Sequence, residues 1–244
     1  MTTSPSSSSS LTSPFVFFDL GQTLIDERDY IAYFEQKFLE LLNGFGARID
    51  QRNYYAIRNS IIRDRKIGYG SVKELIIEVC RLLSPAGYER VIVSRLEPEI
   101  KQARRKLFKF FDDVEPTLTV LSKYCEMGLI ANQSEDVAEL IRKAGFDKFF
   151  KVQTISSSVK LKKPDPRMFE LALTEAGRNA EDCIMVGDRL DTDICPANKL
   201  GMTSIRTTNS LFALQVPSRV CENPSYTVSH LSEIPEILQS IIIS

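Results

Sequence analysis

Residues 15 to 26 read FVFFDLGQTLID. From Phe15 to Leu20 every residue is apolar except Asp19, which suits a short strand buried on both faces. Gly21-Gln22-Thr23 cannot continue such a strand comfortably. The strand therefore ends on a carboxylate, and the place two residues later is a glycine. In an open parallel sheet ligands bind at the carboxyl ends of the strands, so Asp19 stands where chemistry is done.

Downstream the text turns helical. In RDYIAYFEQKFLELLNGFG, Ile31, Phe34, Phe38 and Leu41 recur at helical spacing, and Gly44 or Gly46 can end the helix. SVKELIIEVCRLL opens on Ser71 and Glu74, a capping box, with an apolar face of Leu75, Ile76, Val79 and Leu82. A further helix is expected from about Tyr88 to Phe111. Its basic run, Lys101, Arg104, Arg105, Lys106 and Lys109, reads as a solvated face.

From residue 115 helices alternate with short apolar strands. EPTLTVLSKYCEM is read as a helix ending at Gly128, followed by strand LIAN. SEDVAELIRKAG has Ser134 as N-cap and Gly145 past its end. Strand KVQTI, helix PRMFELALTEAG with Pro166 in its first turn, strand CIMVG and helix DTDICPANKLGM follow. Strand TSIRT, a weaker strand at YTV and a last helix close the chain. The alternation predicts an α/β fold: a Rossmann-like parallel sheet with helices on both faces, plus an inserted all-helical cap. The expected division is a disordered Ser-rich tail over 1–14, a core over 15–26 and 114–244, and the helical cap over 27–113.

Composition excludes several classes. The chain has 244 residues, 43% hydrophobic and 26% charged, with net charge −1. That balance gives no electrostatic reason for nucleic acid or an anionic membrane. No run approaches the roughly 20 apolar residues a bilayer span needs. The first 14 residues carry no Lys or Arg, against a secretory or transit signal. Five cysteines without Cys-x-x-Cys spacing read as free thiols in a reducing compartment, hence the cytoplasm. The single histidine, His230, weakens Ser-His and Cys-His mechanisms and multi-His metal sites. Carboxylates and lysines are left to do the chemistry.

Polar residues stand at the predicted strand ends: Asp19, Asn132 and Asp188, with Lys163 in a loop before a helix. Two carboxylates, one lysine and one amide can converge there. That set suits an anionic substrate bound with a divalent cation. Asp19 and Asp188 offer hard oxygen ligands, and Lys163 offers charge to a phosphate oxygen or the attacking carboxylate. A carboxylate also serves as nucleophile in phosphoryl transfer.

The chain resembles the haloacid dehalogenase superfamily, in the branch with a helical cap just after the first strand. The motifs that carry the resemblance are Asp19-Leu20-Gly21-Gln22-Thr23, GLIANQS, Lys163-Pro164-Asp165 and GDRLDTD at 187–193. The resemblance implies that Asp19 is the nucleophile, forming an aspartyl-phosphate. It implies Mg2+ held by Asp19, the carbonyl of Gly21 and Asp188, with help from Asp193 rather than Asp191. Lys163 would steady nucleophile and phosphate, Asn132 would bind phosphate, and the cap would choose a small phosphorylated substrate.

Two departures qualify this. The family's second aspartate, its general acid and base, is Gly21 here. Asp26, Glu27 or a cap residue are the candidates for the proton, with helix capping the simpler role for Asp26. The family's phosphate-binding Ser or Thr is Ala131, which has no hydroxyl. Three functions follow in order of preference: a magnesium-dependent phosphatase, a catalytically weakened binding or regulatory protein, and a 2-haloacid dehalogenase. The last fits poorly with Gly21 and the acidic GDRLDTD.

Overall fold

A computed structural model of the chain describes residues 13–83 and 88–243. The expected disordered tail lies outside the described residues except for Ser13 and Pro14. Ser13 donates from Oγ to the Tyr124 carbonyl at 2.5 Å.

In chain order the elements are strand β1 (Phe15–Phe18), β2 (Ile25–Asp26), helices α1 (Arg28–Gly44), α2 (Gln51–Arg63), α3 (Val72–Leu83) and α4 (Glu89–Leu107), and β3 (Lys109–Phe110). Then follow α5 (Val114–Leu121), β4 (Glu126–Ala131), α6 (Glu135–Lys143), β5 (Phe150–Ile155), α7 (Ser156–Val159), α8 (Pro166–Ala176), β6 (Cys183–Gly187), α9 (Cys195–Leu200), β7 (Thr203–Thr207), β8 (Tyr226–Val228) and α10 (Ile234–Ile243). Six strands form one sheet in the order β5-β4-β1-β6-β7-β8, with every pairing parallel.

Alternation along β1 explains why both faces are covered. Val16 and Phe18 pack with Val114, Leu118, Ile141 and Leu238, from α5, α6 and α10. Phe15 and Phe17 pack with Met168, Phe169, Ala172 and Ala197, from α8 and α9. All four β1 residues are fully buried, which at roughly 1.5–3 kcal/mol per large apolar side chain makes this strand the anchor of the core. The chain leaves β1, builds β4 and β5 on one side, then returns to place β6 on the other. That reversal is a topological switch point, and the loops after β1, β4 and β6 meet there.

The helical insert leaves through β2 and returns through β3. These pair antiparallel, Ile25 with Phe110 and Asp26 with Lys109, so the two crossings are tied together. The sequence reading gave the insert no strands. A two-residue ladder is too short to leave an alternating pattern.

Other differences have local causes. Gly128 lies inside β4 rather than ending a helix. A Cβ there would stand 2.9 Å from Phe17 Cε1 and 3.0 Å from Phe15 Cε1, so the glycine makes room for the neighbouring rings. In α3 the buried face is Leu75, Ile76, Val79 and Cys80, while Leu82 is exposed. In α1 Leu42, not Leu41, is fully buried. The capping box holds: Glu74 Oε2 accepts from Ser71 N at 2.7 Å. Ser134 occupies the N-cap of α6 but gives no side-chain cap bond. The predicted helix over DTDICPANKLGM begins as a π-helical turn, Leu190–Ile194, before α9.

Two of the five cysteines, Cys195 and Cys221, are joined as a disulfide, while Cys80, Cys125 and Cys183 are buried free thiols. The pair is 26 residues apart, and nothing in its spacing signals contact. Disulfides are uncommon in cytosolic proteins, so the reading of five free thiols is corrected for this pair. No helix among the described residues is long and apolar enough to cross a membrane.

Candidate active site

The loop after β1 is wound tightly around Leu20. Its carbonyl accepts from Leu24 N at 3.0 Å and Ile25 N at 2.8 Å, while Asp19 N donates to the Val186 carbonyl of β6 at 2.9 Å. The left-handed residue of the turn is Gln22, with φ of 56°. Gly21 is not left-handed, so backbone conformation does not require a glycine there. Space does. A Cβ on residue 21 would stand 2.8 Å from Gln133 Nε2 and 3.1 Å from Glu27 Oε1.

Asp19, Lys163, Asp188 and Asp193 meet at the switch point, all buried. Lys163 Nζ donates to Asp19 Oδ1 and to Asp193 Oδ1, each at 2.5 Å. Carboxylate oxygens of Asp19, Asp188 and Asp193 lie within 4.8 Å of one another. Asp193 Oδ2 also accepts from Arg189 N at 3.0 Å. Gly187 is needed for this: a Cβ there would stand 2.6 Å from the Asp193 side chain. Asp191 turns elsewhere, pairing with the Arg189 guanidinium at 3.0 and 2.9 Å. Arg189 also donates to the carbonyls of Gly70 and Gly68, at 2.6 and 3.0 Å. It thereby ties the loop after β6 to the helical insert.

Asn132 lines the same cavity but is bonded to the backbone of Lys163. Its Nδ2 donates to the Lys163 carbonyl at 2.9 Å and its Oδ1 accepts from Lys163 N at 2.8 Å. Of the four hydrogen bonds its tip can make, two are therefore spent holding Lys163 in place. Asp26 is likewise engaged. It accepts from Arg28 N, Nε and Nη2 at 3.0, 2.8 and 2.7 Å. The Arg28 side chain holds its carboxyl below the usual range, so it is an ionised structural group at the first turn of α1.

Glu27 differs. It is buried and lines the cavity beside Asp19 and Gly21. Burial pushes its carboxyl up to about 7, against the pull of Arg104. Arg104, read from sequence as part of a solvated face, is half-buried and lines the cavity. Its Nη1 donates to Ser134 Oγ at 3.2 Å, bridging the insert to the core. A helix face cannot announce this, because the partner comes from a loop 30 residues away.

Electrostatics bear on what the cluster could hold. Three carboxylates face one ammonium, which leaves two surplus negative charges in a buried cluster. Burial pushes Asp19 up to about 6 despite Lys163. Burial, then Asp193 and Asp19, hold Asp188 well above its ordinary value. The Asp188 Oδ2 atom is buried without a hydrogen-bond partner. Oxygen donors, surplus charge and an orphaned carboxylate oxygen together fit a hard divalent cation.

A pH dependence follows. Carboxylates raised in the fold bind more protons there than in the unfolded chain, between the unfolded value near 4 and the folded values of about 6 and 7. Without metal, stability is therefore highest at the acid end of this window and falls as pH rises through it. A divalent cation held by Asp19, Asp188 and Asp193 would have to displace protons from the raised carboxyls among them. Added Mg2+ is expected to raise Tm clearly at pH 7.5 and little at pH 5. Equal shifts at both values, read by differential scanning fluorimetry, would contradict the cluster's assignment.

The fold and site are thus a parallel sheet with a strand-end carboxylate, a lysine and an acidic loop gathered at its switch point. The chain belongs to the haloacid dehalogenase-like hydrolases, whose family model matches residues 16–207, and it is a hydrolase. It is 26% identical over 243 residues to the glyceraldehyde 3-phosphate phosphatase of Methanocaldococcus jannaschii, covering 93% of this chain and 97% of that one. Among solved structures it resembles a 2-haloacid dehalogenase from Pseudomonas syringae, at 25% identity and TM-score 0.58, over 93% of this chain and 99% of the other. It also resembles the magnesium-bound HAD-hydrolase YfnB of Bacillus subtilis, at 17% identity and TM-score 0.65, over 92% and 98%.

Proposed function

We propose that the protein is a magnesium-dependent hydrolase of small phosphate monoesters, acting through an aspartyl-phosphate on Asp19. The observation that carries this reading is the Asp19–Lys163 pair at 2.5 Å beside two further carboxylates. The pair supports a reading in which a buried nucleophile, a cation for the phosphate and a divalent site share one strand end. The phosphatase relative from Methanocaldococcus jannaschii supports the same class.

Asp19, Asp188 and Asp193 would hold Mg2+, with the Gly21 carbonyl beside them. When bound, the ion would neutralise the surplus charge, keep Asp19 ionised and draw charge from the phosphoryl oxygens. Asp19 attacks phosphorus, and the ester oxygen leaves as the new Asp19–phosphorus linkage forms. Lys163 holds the carboxylate and meets a phosphoryl oxygen. Asn132 steadies Lys163 through the backbone and has one amide hydrogen left for the phosphate. Glu27 gives a proton to the leaving oxygen, then takes one from the water that releases phosphate from Asp19. Insert residues 27–113 close over the site through the Arg189 and Arg104 bridges. The 2-haloacid dehalogenase reading has a solved relative in its favour, but it leaves the acidic cluster without work.

A panel of small phosphoesters, assayed with Mg2+ and with chelator, tests the proposal. Phosphate release that needs the metal is the expected result. Metal-independent halide release from a 2-haloacid would favour the dehalogenase, and no turnover at all would favour a binding or regulatory role.

A further inference from the structure

The cavity above Asp19 has a volume of about 200 Å3, below the roughly 300–1,000 Å3 that encloses a drug-sized ligand. Its polarity is divided. The floor, from the core, carries Asp19, Lys163, Asp188 and Asp193. The opposite wall, from the insert, is built by Tyr30, Phe34, Ile76, Ile77, Leu96 and Phe108, which come from α1, α3, α4 and the residue just after α4.

Ser71 and Lys73, polar insert residues lining the cavity, are already engaged. Ser71 Oγ donates to Glu74 at 2.5 Å and Lys73 Nζ to Glu97 at 2.9 Å. The Tyr30 ring packs against Phe34 and Phe108, at centroid distances of 4.8 and 4.9 Å. Arg104 reaches across to the core, where Nη1 donates to Ser134 Oγ at 3.2 Å, and its Nε is buried without a partner. Away from Arg104, hydroxyls of a polyol would meet the ring and methyl carbons of Phe34, Ile76, Ile77, Leu96 and Phe108 with no partner, whereas alkyl carbon would be taken out of water.

We propose that this site selects the phosphate monoester of a compact, apolar alcohol, with the carbon part seated on the insert wall. The inference rests on the hydrolase reading above for its chemistry, but the wall can be tested without turnover. Binding of two non-hydrolysable, equal-sized phosphonates would be compared by calorimetry with Mg2+ present: 3-methylpentylphosphonate and 3,4-dihydroxybutylphosphonate. They carry the same anionic head and differ only where hydroxyl replaces methyl. A single methylene or hydroxyl in an apolar pocket is worth roughly 10–200-fold, so the alkyl compound is expected to bind at least about tenfold more tightly. Equal affinity, preference for the diol, or binding of neither would overturn the inference.

The matching phosphates separate this result from the function itself. Both are esters of primary alcohols, so kcat/KM reads the wall at constant leaving-group chemistry. Metal-dependent turnover that favours the diol would sink the inference and leave the hydrolase reading standing. Turnover of neither, with the alkyl phosphonate still preferred, would do the reverse. Ile77→Asn, at a half-buried wall position on α3, should cut the alkyl preference about tenfold. An unchanged preference in a folded variant would remove this wall from the specificity. Should the variant fail to fold, the wild-type comparison still decides.

Discussion

Asp19→Asn is expected to lower kcat on every phosphoester by on the order of 10⁴–10⁶, the scale of losing a nucleophile from a covalent catalyst. The shape of the side chain is kept, and Lys163 retains Asp193 as a partner at 2.5 Å, so the fold should survive. The substitution also removes one of the two surplus charges of the buried cluster. The metal-free variant should therefore be at least as stable as the wild type at pH 7.5, and Mg2+ should stabilise it less. Beryllium fluoride should form a trapped adduct in the wild type and none in the variant. Wild-type turnover in a folded Asp19→Asn protein would move the chemistry to another residue. Retained turnover together with an unchanged Mg2+ effect would move the cation as well.

Why Asp19, Asn132, Lys163 and Asp188 could be picked from the sequence is a matter of topology. Each follows an apolar strand or precedes a helix with clear capping signals, and a parallel sheet brings such ends to one edge. Asp193 was preferred over Asp191 by resemblance, and the structure supplies the physical reason. Gly187 leaves room for Asp193 to fold back over the strand end, while Arg189 draws Asp191 away. What stayed hidden depends on contacts between distant segments. Arg104 carries the helix text of a solvated residue, and only the position of α4 over the loop after β4 turns it inward. Asn132 reads in the sequence as a phosphate ligand, and half of its hydrogen-bonding capacity goes to the Lys163 backbone. The Cys195–Cys221 bond and the β2–β3 ladder likewise join residues 26 or more positions apart.

Glu27→Gln is expected to slow the hydrolysis of alkyl phosphates by about 10²–10⁴, the usual contribution of general acid–base catalysis. Aryl phosphates leave readily without a proton and should slow much less in the first step. The pH profile carries the sharper signature. A proton donor must be protonated, and Glu27 is held up to about 7 by burial. Wild-type rates on alkyl esters should therefore fall as pH rises through about 7, and this limb should vanish in Glu27→Gln. Gly21→Asp alone should gain little, contrary to what a missing aspartate suggests. The new side chain would start 3.1 Å from Glu27 Oε1 and 2.8 Å from Gln133 Nε2, so both side chains must swing away. Two carboxylates would then share one buried corner, where like charges oppose ionisation. The double variant, Gly21→Asp with Glu27→Gln, removes that repulsion and restores one carboxyl beside the leaving group. It should recover a large part of the alkyl-ester rate that Glu27→Gln loses, with folding checked by circular dichroism. An alkyl-ester rate and pH limb unchanged in Glu27→Gln would show that the proton comes from elsewhere. Gain of rate in Gly21→Asp alone would show that the corner is wide enough for both carboxyls, and that the glycine, not Glu27, limits the wild-type enzyme.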